Sequence, residues 1–146
     1  MIIRIMKIAD YDKVYALWLS CKNMGFNNLD DSKEGIERFL NRNPNTSFVA
    51  VENDTIIGIV LAGHDGRRGY IYHMSVREDH RMQGVGTQLV EHSLSALKAE
   101  GINKAALLVF NRNETGNAFW ESLGFTKRED VTYRNKELNK LIRIDT

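Results

Sequence analysis

The chain is poor in cysteine, proline and net charge, and each shortage excludes something. There is one cysteine, Cys21, so no internal disulfide can form and a reducing compartment is expected. There is one proline, Pro44, placed where a helix should end. Neither charge sign dominates: 20 Lys plus Arg face 19 Asp plus Glu, a net charge of +1. That balance speaks against nucleic acid or another polyanion as a partner, while a single phosphorylated ligand stays easy to accommodate. No apolar run reaches the ~18 residues of a membrane-spanning helix. The start, Met1-Ile2-Ile3-Arg4-Ile5, is too short and wrongly flanked for a signal peptide. The four histidines and the cysteine show no metal-ligand spacing, so no metal is expected. The reading is a cytoplasmic protein without membrane association.

What is present is a globular composition, 42% hydrophobic and 27% charged over 146 residues. That length predicts one domain, 1–146, able to bury roughly two thirds of its unfolded surface. Ile2 to Lys7 reads as a strand. Asp10 should cap a helix with Val14, Leu17, Trp18 and Cys21 inward, fading near Asn23. Met24-Gly25-Phe26 reads as irregular. Asp31 with Glu34 resembles a capping box for a helix carrying Ile36, Phe39 and Leu40. Ser47–Val51 and Ile56–Ala62, joined by the turn Glu52-Asn53-Asp54-Thr55, predict a hairpin. Turn residues from Gly63 to Gly69 lead into the strand Tyr70–Val76. A helix follows from Thr87 to Glu100, with Val85, Leu89, Val90, Leu94 and Leu97 on one face and Gly101 as its stop. Lys104–Phe110 is nearly all apolar and predicts a strand buried on both faces. Asn113 should cap a last helix with Phe119, Trp120 and Leu123 inward, ended by Gly124. Two more strands are expected near Phe125–Glu129 and Lys140–Ile144.

The organising stretch is Arg81-Met82-Gln83-Gly84-Val85-Gly86, between the strand Tyr70–Val76 and the helix from Thr87. The first turn of a helix carries unpaired N–H groups and a partial positive charge. Glycine lets a bulky anion approach them. Strand, glycine turn and helix start therefore read as a phosphate site. Two common phosphate motifs fail. A dinucleotide fingerprint needs glycine where Leu89 stands, and a nucleotide P-loop needs Gly-Lys-Ser/Thr where the chain has Gly86-Thr87-Gln88.

Arg-x-x-Gly-x-Gly after a strand resembles the coenzyme A pyrophosphate loop of the GNAT family of N-acetyltransferases. A second segment agrees: Asn113, Trp120, then Glu121-Ser122-Leu123-Gly124-Phe125 is similar to the family's Asn-x(6)-Tyr-x-x-x-Gly-Phe. The order of elements is also similar, so the resemblance covers nearly the whole chain. It is most like small bacterial members. The resemblance implies the GNAT fold, an α/β (α+β) architecture with a mixed, mostly antiparallel twisted sheet of about seven strands and helices on both faces. It implies acetyl transfer from acetyl-CoA to a primary amine, a small molecule being favoured over a peptide or protein acceptor. A protein N-terminus or lysine is the alternative, a non-catalytic acyl-CoA binding module is a rival of another class, and a homodimer is possible. Departures from the family pattern are Glu78 and His80, Met82 where glycine is common, and Trp120 where tyrosine is usual.

Transferred position by position, the resemblance places the pyrophosphate on Met82, Gln83, Gly84, Val85, Gly86 and Thr87. Arg81 is a phosphate partner or a plain surface arginine. The pantetheine arm would pair beside Met74, Ser75 and Val76, with Val76 N–H polarising the thioester carbonyl. Asn113 would touch the same arm or simply cap its helix. The attacking amine must be neutral, and at pKa near 10.4 only about one part in a thousand is so at pH 7. The family's base position falls on Tyr72 or His73, which strand alternation would send to opposite faces. His73 has the better pKa for a base, Tyr72 the closer position. Trp120 cannot protonate a departing thiolate, because an indole N–H is no acid in the relevant range. It reads as packing, at a position that the resemblance counts among those lining the cofactor site, and Tyr133 or water are substitutes for the acid.

Overall fold

The computed structural model describes residues 1–146. In chain order the elements are β1 (Ile2–Ile5), α1 (Tyr11–Ser20), β2 (Gly25–Asn27), α2 (Lys33–Arg42), β3 (Phe48–Glu52), β4 (Thr55–His64), β5 (Gly69–Val76), α3 (Val85–Ala99), β6 (Ala105–Leu107), α4 (Glu114–Ser122) and β7 (Arg143–Asp145). Five strands form the main sheet in the order β1-β3-β4-β5-β6. All pairs are antiparallel except β5 with β6, which run parallel. The sheet is thus mixed and mostly antiparallel, as the sequence leads one to expect. The seven strands do not share one sheet, however: β2 and β7 form a separate antiparallel ribbon.

Alternation along β3 and β4 builds a core on each face of the sheet. Val49, Ile56, Ile59 and Leu61 pack with Val14, Leu17, Trp18, Ile36 and Leu40 beneath α1 and α2. Ala50, Ile57, Val60 and Ala62 pack with Val85, Leu89, Val90 and Trp120 beneath α3 and α4. Successive side chains of a strand point to opposite faces, so the apolar run of β4 feeds both cores. Truncating a fully buried member such as Leu89 to alanine should cost about 2–5 kcal/mol.

Several local expectations need correction. Met24-Gly25-Phe26 is largely strand, because β2 finds a partner 118 residues away, Phe26 opposite Ile144. No strand forms over 125–129, and the last strand is Arg143–Asp145. Lys104–Phe110 yields only Ala105–Leu107, half-buried at a sheet edge, with Leu108 69% exposed. An edge strand has one neighbour, so its outer side stays in solvent. Helix α3 begins at Val85, two residues before Thr87. Asp10 sits at the start of α1 but makes no cap bond; its carboxylate takes Arg4 Nη1 and Nη2 at 2.8 Å and Lys7 N–H at 2.9 Å. Ser32, and not Asp31, caps α2, its Oγ accepting Gly35 N–H at 3.0 Å.

One irregularity positions everything that follows. On β4 and β5, Ile59 faces Ser75 and Leu61 faces Tyr72, so Val60 alone opposes His73 and Met74. This is a β-bulge, and His73 carries it with φ 48° in the left-handed region. Pairing of β5 with β6 also stops at Ile71–Leu107. Past that point β5 has no strand beside it on that side, and this edge from Tyr72 to Val76 lines the candidate cleft.

Candidate functional site

On the α3 side the cleft is built from backbone. Arg77 N–H reaches Ile57 C=O across to β4 at 2.8 Å. Strand alternation then turns the N–H and C=O of Val76 toward the cleft edge. The Val76 carbonyl accepts from Arg81 Nε at 3.1 Å, and Arg81 Nη2 lies 3.6 Å from Cys21 Sγ. The arginine thereby ties the loop to the strand end and to the foot of α1. Met82 (φ 61°) and Gly84 (φ 80°) are both left-handed. Met82 thus stands at a position whose backbone favours glycine. Gln88 N–H bonds to Gly84 C=O, so Val85, Gly86 and Thr87 N–H have no acceptor inside the helix. A helix of 15 residues adds its dipole there.

Gly86 is where β5, α3 and α4 converge. A Cβ on it would lie 3.2 Å from Phe119 Cζ and 3.3 Å from Met74 Cε. Backbone donors at a glycine surface, beside an unpaired strand edge, fit a pyrophosphate and an amide-bearing arm. Gln83 is exposed in the same loop, and Ser75 is buried on β5, its hydroxyl 3.4 Å from His73 C=O. Asn113 caps α4, its Oδ1 accepting Gly116 N–H at 2.9 Å. Trp120 is buried among Phe119 and Phe125, edge-on to both with ring centroids 5.0 and 5.1 Å away.

On the α1–α2 side the cleft is built from side chains. The bulge sends both Tyr72 and His73 to this face, against the opposite faces that strand alternation predicts. Tyr72 meets Phe39 edge-on at 5.8 Å and lies 6.4 Å from Tyr70. His73 meets Trp18 at 5.0 Å and Phe26 at 4.7 Å. Trp18 Nε1 donates to His73 C=O at 2.9 Å, and His73 Nε2 lies 2.7 Å from Asp31 Oδ1. Tyr72 is 43% exposed, yet its hydroxyl is pushed above the usual phenol pKa, first by burial and then by Tyr70, Tyr133, Asp30 and Asp65. Tyr133 itself is exposed in a stretch without secondary structure.

The cluster of Asp31 with His73 is absent from the linear pattern. The two residues are 42 apart in sequence, and Asp31 reads locally as a helix cap. The signal that could have raised it is Ser32, an equally good N-cap immediately after it, which leaves Asp31 free for another partner. The bulge leaves no mark in the string Tyr72-His73-Met74 that distinguishes it from regular strand.

Residues 11–125 match the model of the acetyltransferase (GNAT) family. An acetyltransferase of Yersinia pestis (strain Pestoides F) is 32% identical over 129 residues, covering 88% of this chain and 90% of the relative. Among solved structures, the PaiA N-acetyltransferase of Thermoplasma acidophilum in complex with coenzyme A superposes with a TM-score of 0.73 at 18% identity, over 90% of this chain and 92% of that one. An aminoglycoside 6'-N-acetyltransferase of Acinetobacter haemolyticus gives 0.72 at 19%, over 95% and 100%.

Proposed function

Since the chain belongs to the acetyltransferase (GNAT) family and is an acetyl-CoA-dependent N-acetyltransferase, we propose that its acceptor is a small, cationic primary amine, entering beside Tyr72 and deprotonated by His73. The observation that carries this reading is the aromatic wall on the α1–α2 side. Tyr70 and Tyr72 are exposed there, and the neighbours that raise the Tyr72 pKa include Asp30 and Asp65. A cation gains from an aromatic face and from nearby carboxylates. The fold neighbour from Acinetobacter haemolyticus is an enzyme of an aminoglycoside, a small polyamine, which agrees with this acceptor class.

Acetyl-CoA supplies an activated acetyl group whose sulfur leaves as a thiolate. The residues of the chain do the rest. Val85, Gly86 and Thr87 N–H groups, with the loop from Met82, receive the pyrophosphate. Met74, Ser75 and Val76 present the strand edge to the arm, and Val76 N–H faces the thioester oxygen. Arg81 holds the loop closed through the Val76 carbonyl. His73 takes the proton from the amine. Cysteine-like thiols leave readily, with pKa near 8.5, so Trp120 need not protonate the sulfur and serves as packing.

Release of free thiol from acetyl-CoA tests this against a panel of monoamines, diamines, polyamines, an aminoglycoside and peptides with free N-termini or lysines. A di- or polyamine should give the highest kcat/KM. A peptide outpacing every small amine would replace the small-molecule reading by a protein acceptor.

A further inference from the structure

We propose that Asp31 is the positioning residue of a His73–Asp31 pair, holding the imidazole so that its free lone pair lies on Nδ1 and points the proton-accepting nitrogen at the acceptor. The inference rests on His73 being the base.

Four observations converge on it. The Asp31 side chain is 6% exposed and has no capping duty, because Ser32 caps α2. Its Oδ2 accepts Asn27 N–H at 2.8 Å, leaving Oδ1 for His73 Nε2 at 2.7 Å. A carboxylate that already accepts one N–H offers only an acceptor to the ring, so the neutral imidazole carries its proton on Nε2. Nδ1 has no bond to the protein, and no buried side-chain nitrogen or oxygen lacks a partner, so Nδ1 is open to solvent.

The pair is also held more firmly than a surface contact requires. Tyr11 Oη donates to the Asp31 carbonyl at 2.6 Å. Trp18 Nε1 fixes the His73 carbonyl, and the Trp18 and Phe26 rings flank the imidazole edge-on. His73 adopts a left-handed backbone at a bulge, a strain that persists only where surroundings enforce it. The titratable groups against the imidazole are Asp31, at its Nε2, and Tyr72, whose ring centroid is 6.3 Å away.

In the reaction, the cationic amine first gives one proton to Nδ1, which releases it to solvent. The neutral nitrogen then forms a bond to the acetyl carbon, the C–S bond breaks and its electron pair leaves on sulfur, while the second proton lost by nitrogen moves to Nδ1. The resulting imidazolium keeps Nε2–H on the Asp31 carboxylate, and its Nδ1 proton then passes to solvent or to the thiolate.

Asp31→Asn tests the pair. Asn27 N–H will draw the amide oxygen, leaving the amide NH₂ toward His73 Nε2. That forces the ring proton to Nδ1 and removes the lone pair from the acceptor side. Nitrogen-15 NMR of the free protein should show the Nε2–H tautomer in the parent and Nδ1–H in the variant. Turnover at pH 7 should fall at least ~10²-fold with acceptor KM changed less than about threefold, and should recover toward pH 10 as the ammonium loses its proton to solvent without help. The thermal shift with acetyl-CoA should persist. A second measurement covers poor folding of that variant: imidazole added to His73→Ala should restore part of the rate. An Nδ1–H tautomer in the parent, or a variant whose rate falls equally at all pH values, overturns the positioning role. The parent tautomer as stated, with full activity in His73→Ala, instead overturns His73 as the base.

Discussion

The two faces of the cleft are made of different materials. The α3 side presents backbone: N–H groups of Val85, Gly86 and Thr87, and the edge of β5 at Val76. The α1–α2 side presents side chains brought from far apart: Tyr72 and His73 from β5, Trp18 from α1, Phe26 from β2, Asp31 from the turn before α2. A backbone site tolerates side-chain change as long as glycine space and helix position survive. A side-chain site depends on each identity. On the proposed reading, the constant half of the reaction, grip on a nucleotide-bearing cosubstrate, sits on backbone, and the variable half, choice and activation of the acceptor, sits on side chains.

The largest expected effect falls on the side-chain face. His73→Ala should lower turnover about 10²–10⁴-fold at neutral pH while acetyl-CoA affinity changes little. Tyr72→Phe should leave the base intact and alter acceptor KM by less than tenfold. Full rate in His73→Ala across pH 6–9, measured by thiol release, would remove the division of labour between the faces.

Next comes the backbone face. Acetyl-CoA at 100 times its Kd should stabilise the protein by about 2.7 kcal/mol, roughly 5–10 °C at this size. Gly86→Glu should abolish that shift. Its side chain would strike Phe119 and Met74, within 3.4 Å of a bare Cβ, and its charge would repel phosphate. A retained shift in this variant would mean that the pyrophosphate lies elsewhere.

The same contrast governs what the sequence discloses. The backbone face follows from local features: a strand, glycines at 84 and 86, and a helix start within a few residues. The helical stripes, the β3–β4 hairpin and the Asn113 cap are local too, and they form where periodicity and turn residues place them. The side-chain face rests on long-range contacts with no local trace. Asp31 looks like a cap until Ser32 takes that bond, and the bulge at His73 depends on the register against β4. The C-terminal strands are misjudged for the same reason, since β7 exists only through pairing with β2.

A smaller effect separates packing from chemistry at Trp120. Trp120→Tyr shrinks a buried ring between Phe119 and Phe125 and brings a hydroxyl into that space. It should cost about 1–3 kcal/mol in chemical denaturation. Its acetylation rate should stay near that of the parent, because the thiolate departs without an acid. A rise of 10²-fold or more would show that proton transfer to sulfur limits the parent.

The smallest effect is the sharpest probe of the backbone face. Met82 is fully exposed and left-handed at φ 61°, between Arg81 and the helix start. An L-residue held there is strained by about 1–2 kcal/mol, which Met82→Gly relieves. The glycine also frees the unfolded chain, opposing the gain by about 0.4–1 kcal/mol. Net stability should therefore rise by no more than about 1.5 kcal/mol, read as a midpoint shift in denaturant at unchanged slope. The loop N–H groups remain, so acetyl-CoA affinity should stay within a few-fold. A loss of tenfold or more, measured by calorimetric titration, would mean that the Met82 side chain itself covers the bound cosubstrate. The α3 side would then owe part of its grip to a side chain, and the contrast between the faces would be one of degree.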